Sequence, residues 1–423
     1  MWSTRLNLAL SSVAIVGLQL VGCSSAPPNS DSAPGEPKPN ARVSLSAYGL
    51  PKDFFQPVAE KCANQIIGYR FVVWLNSDDV VVGFNTSPYC RSAPDRKVSG
   101  SARLLVFSGS GAFKVQRDVP YLADGNGEIV AEGEARSGPS GTLLFRLESV
   151  NLDAEGRSES KSGVLLLDAN LKDVEQLDRF LVQTTFINHA LVFQEGFTLG
   201  NAGTYAIFDG VPLKQIMRRQ RDWPVGTRDS KFGDNGIAFM VCQQELRPNE
   251  YESTGVVYAG AKQRCTMTSD GDDGRIWRVP LADGETASIV GLLSDGSVVG
   301  QVNAEGSKAG RLVIWRRDKA AEVLPWIPPN YCGSVQSATA DMSRYAAIAS
   351  DDCNDVAGLF RLLGVGRKTT DAGHWMIFDR RLPTAITDRV FPKNGRAALS
   401  PDGLRYASFE AGELRIYSLP KPE

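Results

Sequence analysis

The sequence predicts an all-β fold built by radial repetition, and three observations predict it. Short runs of alternating apolar and polar residues recur along the chain, each bounded by Gly, Pro, Asp, Asn or Ser. Turn-forming composition persists to the end, with 41 Gly and 23 Pro in 423 residues. Helical periodicity is scarce: Leu213 to Gln220 is the one mildly helix-like run, read as a turn or two of helix.

The clearest unit is Ser400-Pro401-Asp402-Gly403 followed by Leu404 to Phe409 and Glu413 to Leu419. Pro pre-sets φ at the second position of a tight turn and Gly tolerates its last. Leu404, Tyr406 and Ser408, then Leu414, Ile416 and Ser418, repeat with the period of a half-buried strand, so the unit is a hairpin. This stretch resembles the repeat of TolB-type and WD-repeat β-propellers. The Gly-His start and Trp-Asp end that mark WD repeats proper are absent. The resemblance implies a rigid ring that binds proteins or ligands on a face or at its central channel.

Weaker copies run back along the chain. Phe71 to Phe84 reads as a hairpin about Asn76-Ser77-Asp78-Asp79, with a further strand at Arg103 to Phe107. Copies follow at Leu143 to Leu147 with Gly163 to Asp168, and at Phe186 to Phe193 with Gly203 to Asp209. The fourth takes Gly236 to Val241, Val256 to Ala259 and Arg275 to Val279. The fifth takes Ile289 to Leu293, Val298 to Val302 and Arg311 to Trp315, about the turn Ser294-Asp295-Gly296. The sixth takes Ala338 to Ala340, Arg344 to Ile348 and Trp375 to Asp379. Later strands often end in an aromatic and a polar residue, as in Phe208-Asp209, Trp315-Arg316, Phe378-Asp379 and Tyr417-Ser418. The expected fold is an all-β, seven-bladed β-propeller with four strands per blade. The last copy is short of strands, and an incomplete sheet leaves an open edge. Arg42 to Tyr48 is strand-like and is expected to close the ring by pairing with Glu413 to Leu419.

The first stretch reads as a processing signal. Arg5 precedes a mostly apolar run from Leu6 to Leu20, too short to span a membrane. Leu20-Val21-Gly22-Cys23 resembles the bacterial lipobox, which implies cleavage before Cys23 and lipidation of its thiol and amino group. Residues 1–22 are thus expected to be a signal peptide and 23–41 a lipidated Cys with a Pro- and Ser-rich tether. Residues 42–423 form a single propeller domain in this reading. Ser24 after the Cys favours the outer membrane, on its periplasmic or external face.

Setting Cys23 aside, six cysteines remain in an exported chain, which suggests disulfides. They fall into three pairs of sequence neighbours, and blades are locally connected sheets. The expected bonds are Cys62–Cys90, Cys242–Cys265 and Cys332–Cys353. No C-x-x-C occurs and only two histidines, His189 and His374, are present, so zinc is not expected. With no G-x-S-x-G elbow, both histidines read as turn or packing residues. Asp270-Gly271-Asp272-Asp273-Gly274 lacks the later ligands of a calcium loop and reads as a polar turn.

Two stretches are candidate interaction sites. Lys214, Arg218, Arg219 and Arg221, beside Trp223, form the one basic cluster, suited to anionic headgroups or to simple solvation. Pro325 to Tyr331 is a stiff connection whose Trp326 and Tyr331 serve either as interface anchors or as a plug between blades. The formal net charge of −2 lacks the basic footprint of a nucleic-acid binder. The expected function is a non-catalytic platform without cofactors, binding an envelope protein. The alternatives are a propeller enzyme or sugar or quinone binder using the central channel, and a structural or adhesive surface protein.

Overall fold

The computed structural model describes residues 37–52, 54, 66–67, 70–86, 89–90, 98–124, 127–128, 135–152, 158–178, 181–184, 191–195, 202–222, 227–233, 236–245, 262–269, 276–304, 310–329, 331–350, 372–392 and 395–421. The described residues from Lys38 onward belong to one compact unit. The expected signal peptide, Cys23 and most of the expected tether lie outside the described residues.

Seven four-stranded antiparallel blades are arranged in a ring, a β-propeller. The first comprises Arg70–Trp74, Asp79–Asn85, Val98–Ser108 and Phe113–Asp124. The second comprises Ala135–Ser137, Leu143–Leu152, Ser158–Leu167 and Asp173–Asp178, and the third Leu181–Thr184, Leu191–Glu195, Ala202–Asp209 and Lys214–Asp222. The fourth comprises Thr227–Gly233, Gly236–Glu245, Lys262–Ser269 and Ile276–Arg278. The fifth comprises Glu285–Leu292, Val298–Ala304, Arg311–Trp315 and Glu322–Leu324, and the sixth Cys332–Ala338, Arg344–Ser350, Ala372–Asp379 and Ala385–Pro392. The seventh takes Arg396–Leu399, Arg405–Glu410 and Glu413–Ser418 from the end of the chain and Ala41–Ser44 from its beginning. A short strand, Gly127–Glu128, pairs with both Phe113–Asp124 and Leu143–Leu152 and so joins the first two sheets.

The blades are held by side chains from their neighbours. Each adjacent pair shares a buried cluster: Leu104, Val106 and Phe145 between blades one and two, Leu144, Leu166 and Leu191 between two and three. Tyr205, Ile207 and Phe239 join three to four, and Met240, Met267, Val298 and Trp315 join four to five. Ile314, Leu324, Tyr345 and Phe378 join five to six, while Trp375, Tyr406 and Tyr417 join six to seven. Phe84, Phe107, Phe409 and Ile416 complete the circuit from seven to one. Burying apolar area at about 25 cal/mol per Å2 makes these seams the main source of cohesion. Gly233 of blade four shows how closely they pack, because a Cβ there would sit 2.8 Å from the Leu292 carbonyl oxygen of blade five.

Ring closure is antiparallel, with Ala41 opposite Ile416 and Ser44 opposite Glu413. The Asn40 N–H donates to the Ile416 carbonyl at 2.7 Å, and the Ser418 N–H donates to Asn40 Oδ1 at 2.6 Å. The pairing is shorter than the sequence suggests. Leu45–Tyr48 turns into a 3-10 helix instead of continuing the strand, ending at Gly49 with φ +84°. The reason is burial: Leu45 is fully enclosed and Leu50 nearly so, in the cluster between blades seven and one.

Two further readings are corrected. Leu213 to Gln220 is not helical; Lys214–Asp222 is the fourth strand of blade three, paired with Ala202–Asp209. The ladder offered by the preceding strand satisfies its backbone, whereas a helix would leave that blade's edge bare. Ala338 to Ala340 is not a separate strand, because Cys332–Ala338 ends there and Thr339 opens a turn. The strand Lys262–Ser269 carries only two apolar residues, Cys265 and Met267, too few to stand out as an alternating run. Val256 to Ala259 lies outside the described residues.

Candidate functional site

Strand alternation places the first-to-second and third-to-fourth turns of every blade on one face of the ring, and the second-to-third connections on the other. The turn face is built by short hydrogen-bonded loops. In the last blade, Gly403 at φ +69° lets its N–H donate to the Ser400 carbonyl at 2.8 Å. The Ser400 hydroxyl accepts from the Arg405 N–H at 2.9 Å, and Asp402 Oδ1 accepts from the Leu404 N–H at 3.0 Å. The turn Thr339 to Arg344 in blade six reproduces this pattern. There the Thr339 hydroxyl accepts from Arg344 N–H at 3.0 Å and Asp341 Oδ1 from Ser343 N–H at 2.9 Å. Met342 stands where Gly403 does, at φ 58°.

The arginine that ends each of these two turns reaches the next blade. Arg344 is 3% exposed and donates through Nη1 to the Gly403 carbonyl at 2.7 Å. Its Nε donates to Asp379 at 3.1 Å, and Arg381 binds the same carboxylate at 2.8 Å. The hydrogen bond from Arg381 is the largest influence on Asp379. Burial opposes it, and Arg344 adds to it, so the carboxyl is held well below the ordinary carboxylate range. Arg405 repeats the device across the closure: it donates to the Ser77 carbonyl, pairs with Asp78 at 3.0 Å and lies 5.5 Å from the centre of the Trp74 ring.

Between blades four and five the turn face carries a cleft of about 320 Å3. Trp277 of Ile276–Arg278 forms one wall; Asp295, Gly296, Ser297, Arg316, Arg317 and Lys319 form the other. Burial opposes ionisation of Asp295, but hydrogen bonds from Ser297 and the nearby Arg316 prevail and hold its carboxyl below the usual range. Arg316 is tied to Glu322 at 2.9 Å, and Arg380 binds the same carboxylate. The hydrogen bond from Arg380 dominates in holding Glu322 ionised.

The residues singled out from sequence are dispersed. Trp326 packs against the seam between blades five and six, its ring 6.1 Å from Phe378 and 6.5 Å from Tyr345, and stays partly exposed. The Tyr345 hydroxyl donates to the Pro325 carbonyl and fixes the connection that carries it. Tyr331 packs on His374 at 4.9 Å, and His374 Nδ1 lies 2.8 Å from Asp388 Oδ1, so His374 belongs to strand packing in blade six. Lys214, Arg218, Arg219 and Arg221 lie on the outermost strand of blade three, where charge discourages edge-to-edge pairing. Trp223, His189 and Asp270 to Gly274 lie outside the described residues.

Cys242 and Cys265 are directly opposite in neighbouring strands and are disulfide-bonded. Cys332 is also disulfide-bonded, while Cys353 lies outside the described residues, as does Cys62, the expected partner of Cys90. Among the described residues, no group of three or more His, Cys, Asp or Glu could hold a metal ion, and no helix is long and apolar enough to cross a membrane. Sequence reasoning missed the cleft. Its signal was Arg316-Arg317-Asp318-Lys319, but Trp277 reaches it only across a blade boundary.

No family model matches the chain, and no curated protein matches it. The fold and its turn face define the protein as a seven-bladed β-propeller. Among solved structures it is similar to the β-propeller domain of the Trilobed protease from Pyrococcus furiosus, with 13% identity and a TM-score of 0.43 over 84% of this chain and 96% of that one. TolB from Acinetobacter baumannii shares 10% identity with a TM-score of 0.32, covering 77% of each chain. Prolyl oligopeptidase B from Galerina marginata shares 9% identity with a TM-score of 0.44, covering 85% of this chain and 49% of that one.

Proposed function

We propose that this propeller is a lipid-anchored, non-catalytic protein-binding platform at the outer membrane of a bacterium, serving an envelope complex. The observation that carries the reading is the route of the chain. The Pro- and Ser-rich stretch after Cys23 runs into Ala41–Ser44, which is itself the outermost strand of the closing blade. A pull on the tether therefore bears on a strand held by a backbone ladder on the Glu413–Ser418 strand. Seams around the whole ring make the body rigid, and rigid surfaces bind partners with little ordering cost. The test is crosslinked co-purification of the tagged lipoprotein from solubilised membranes, read by mass spectrometry. One or two stoichiometric envelope proteins support the platform; a partner-free monomer overturns it.

A further inference from the structure

We infer that the cleft between blades four and five binds a small anionic sugar, one bearing a carboxylate or phosphate. The cleft, at about 320 Å3, is large enough for a single sugar ring. Its two walls differ in chemistry. Trp277 supplies a flat ring, and its indole Nε1 is buried without a hydrogen-bond partner, so the indole meets the cleft through carbon and not through its N–H. Such a face suits the C–H side of a sugar. The opposite wall presents Arg316, Arg317 and Lys319 against a single carboxylate, Asp295.

That carboxylate is engaged through both oxygens, its Oδ2 lying 3.9 Å from Arg316 Nε. Asp295 Oδ1 accepts from the Ser297 N–H at 2.9 Å, inside its own turn. Arg316 is oriented by Glu322, which it shares with Arg380, so one carboxylate serves two guanidinium groups. Arg317 lies 3.2 Å from Asp318, whose side chain is 84% exposed and points to water. Lys319 is exposed and forms no side-chain hydrogen bond or ion pair with a described residue. The wall thus offers an ammonium to a ligand, beside a guanidinium pre-set by its own ion pair. An anionic group accepts from both through charge-assisted hydrogen bonds. The fixed position of Arg316 reduces the ordering cost of binding.

The test is isothermal calorimetry and saturation-transfer NMR on the full purified protein with glucuronate, glucose 6-phosphate, glucose and inorganic phosphate. At least one anionic sugar is expected to bind, more tightly than both glucose and phosphate. Lys319→Glu, at an exposed turn position without folding risk, is expected to weaken it by about tenfold or more. Trp277→Leu, with its fold checked by circular dichroism, is expected to weaken the sugar while leaving phosphate unchanged. The inference is overturned if neither anionic sugar binds at about 10 mM, a millimolar Kd being the weak end of specific recognition. It is equally overturned if glucose or phosphate binds as well as the anionic sugars, or if Lys319→Glu leaves affinity unchanged. None of these outcomes bears on the co-purification test of the platform.

Discussion

Arg344 of blade six donates to the carbonyl of Gly403 in blade seven at 2.7 Å while its Nε holds Asp379 at 3.1 Å. The guanidinium is 3% exposed and the carboxylate 2%. Removing Arg344 deprives the buried Gly403 carbonyl of its donor and leaves Asp379 to Arg381 alone. Arg344→Met is therefore expected to cost about 2–3 kcal/mol, read as a lowered urea midpoint. Arg405→Met removes the corresponding link across the closure, but there Asp78 is 82% exposed. Its loss is expected to cost only about 1 kcal/mol. Equal costs would show that burial does not set the strength of these links.

Acid should weaken the same site. The pKa of Asp379 is depressed by hydrogen bonds from Arg381 and Arg344. A depressed carboxylate contributes stability that is present above its unfolded pKa and lost as pH falls toward the folded value. Glu322, held down by Arg380 and Arg316, has the same sign. Stability is expected to fall as pH drops below about 4, the range where unfolded carboxyls take up protons. Asp379→Asn, though less stable at neutral pH, should show a shallower acid slope in urea titrations repeated across pH. An unchanged slope would remove Asp379 from the account.

The closing strand is open to direct test. Deleting residues 38–44 removes the Ala41–Ser44 ladder and the Asn40 contacts, and bares the edge of Glu413–Ser418. An open edge is a template for pairing with other chains. The truncated protein is expected to unfold at lower temperature and to self-associate, measured by calorimetry and light scattering. A stable, monodisperse truncation would mean that the ring stands without its closing strand.

The Cys242–Cys265 bond closes a separation of 23 residues. Cross-links over loops of that size contribute on the order of 3 kcal/mol by limiting the unfolded chain. Replacing both cysteines by Ser should lower the melting temperature without altering the circular dichroism spectrum. An unshifted melting temperature would show that the adjoining ladder suffices by itself.

Gly403 is held to glycine by both its backbone and its neighbours. A Cβ there would lie 2.9 Å from Thr339 Cγ2 and 3.0 Å from Arg344 Cδ, at a φ that side chains avoid. Gly403→Val is expected to cost more than about 2 kcal/mol, combining backbone strain with displacement of the buried arginine. A smaller cost, read from chemical unfolding, would show that the turn relaxes.

The sequence alone determined the fold class, the repeat and the ring closure, because strand period and turn chemistry are local properties. Ser400 to Gly403 announces its turn through Pro, Asp and Gly, and Val298 to Val302 announces its strand through three valines just after the turn Ser294-Asp295-Gly296. Local cues also misled. Lys214 to Gln220 has good helix formers, but the ladder from Ala202–Asp209 outweighed propensity. Leu45 to Tyr48 alternates like a strand, yet burying Leu45 bent it into a turn. The cleft was decided only in three dimensions. Trp277 and Lys319 belong to different blades, and no local pattern brings an indole to a cationic turn 42 positions away. The seam that packs blade four on blade five does so, through contacts such as Met240 and Met267 with Val298 and Trp315.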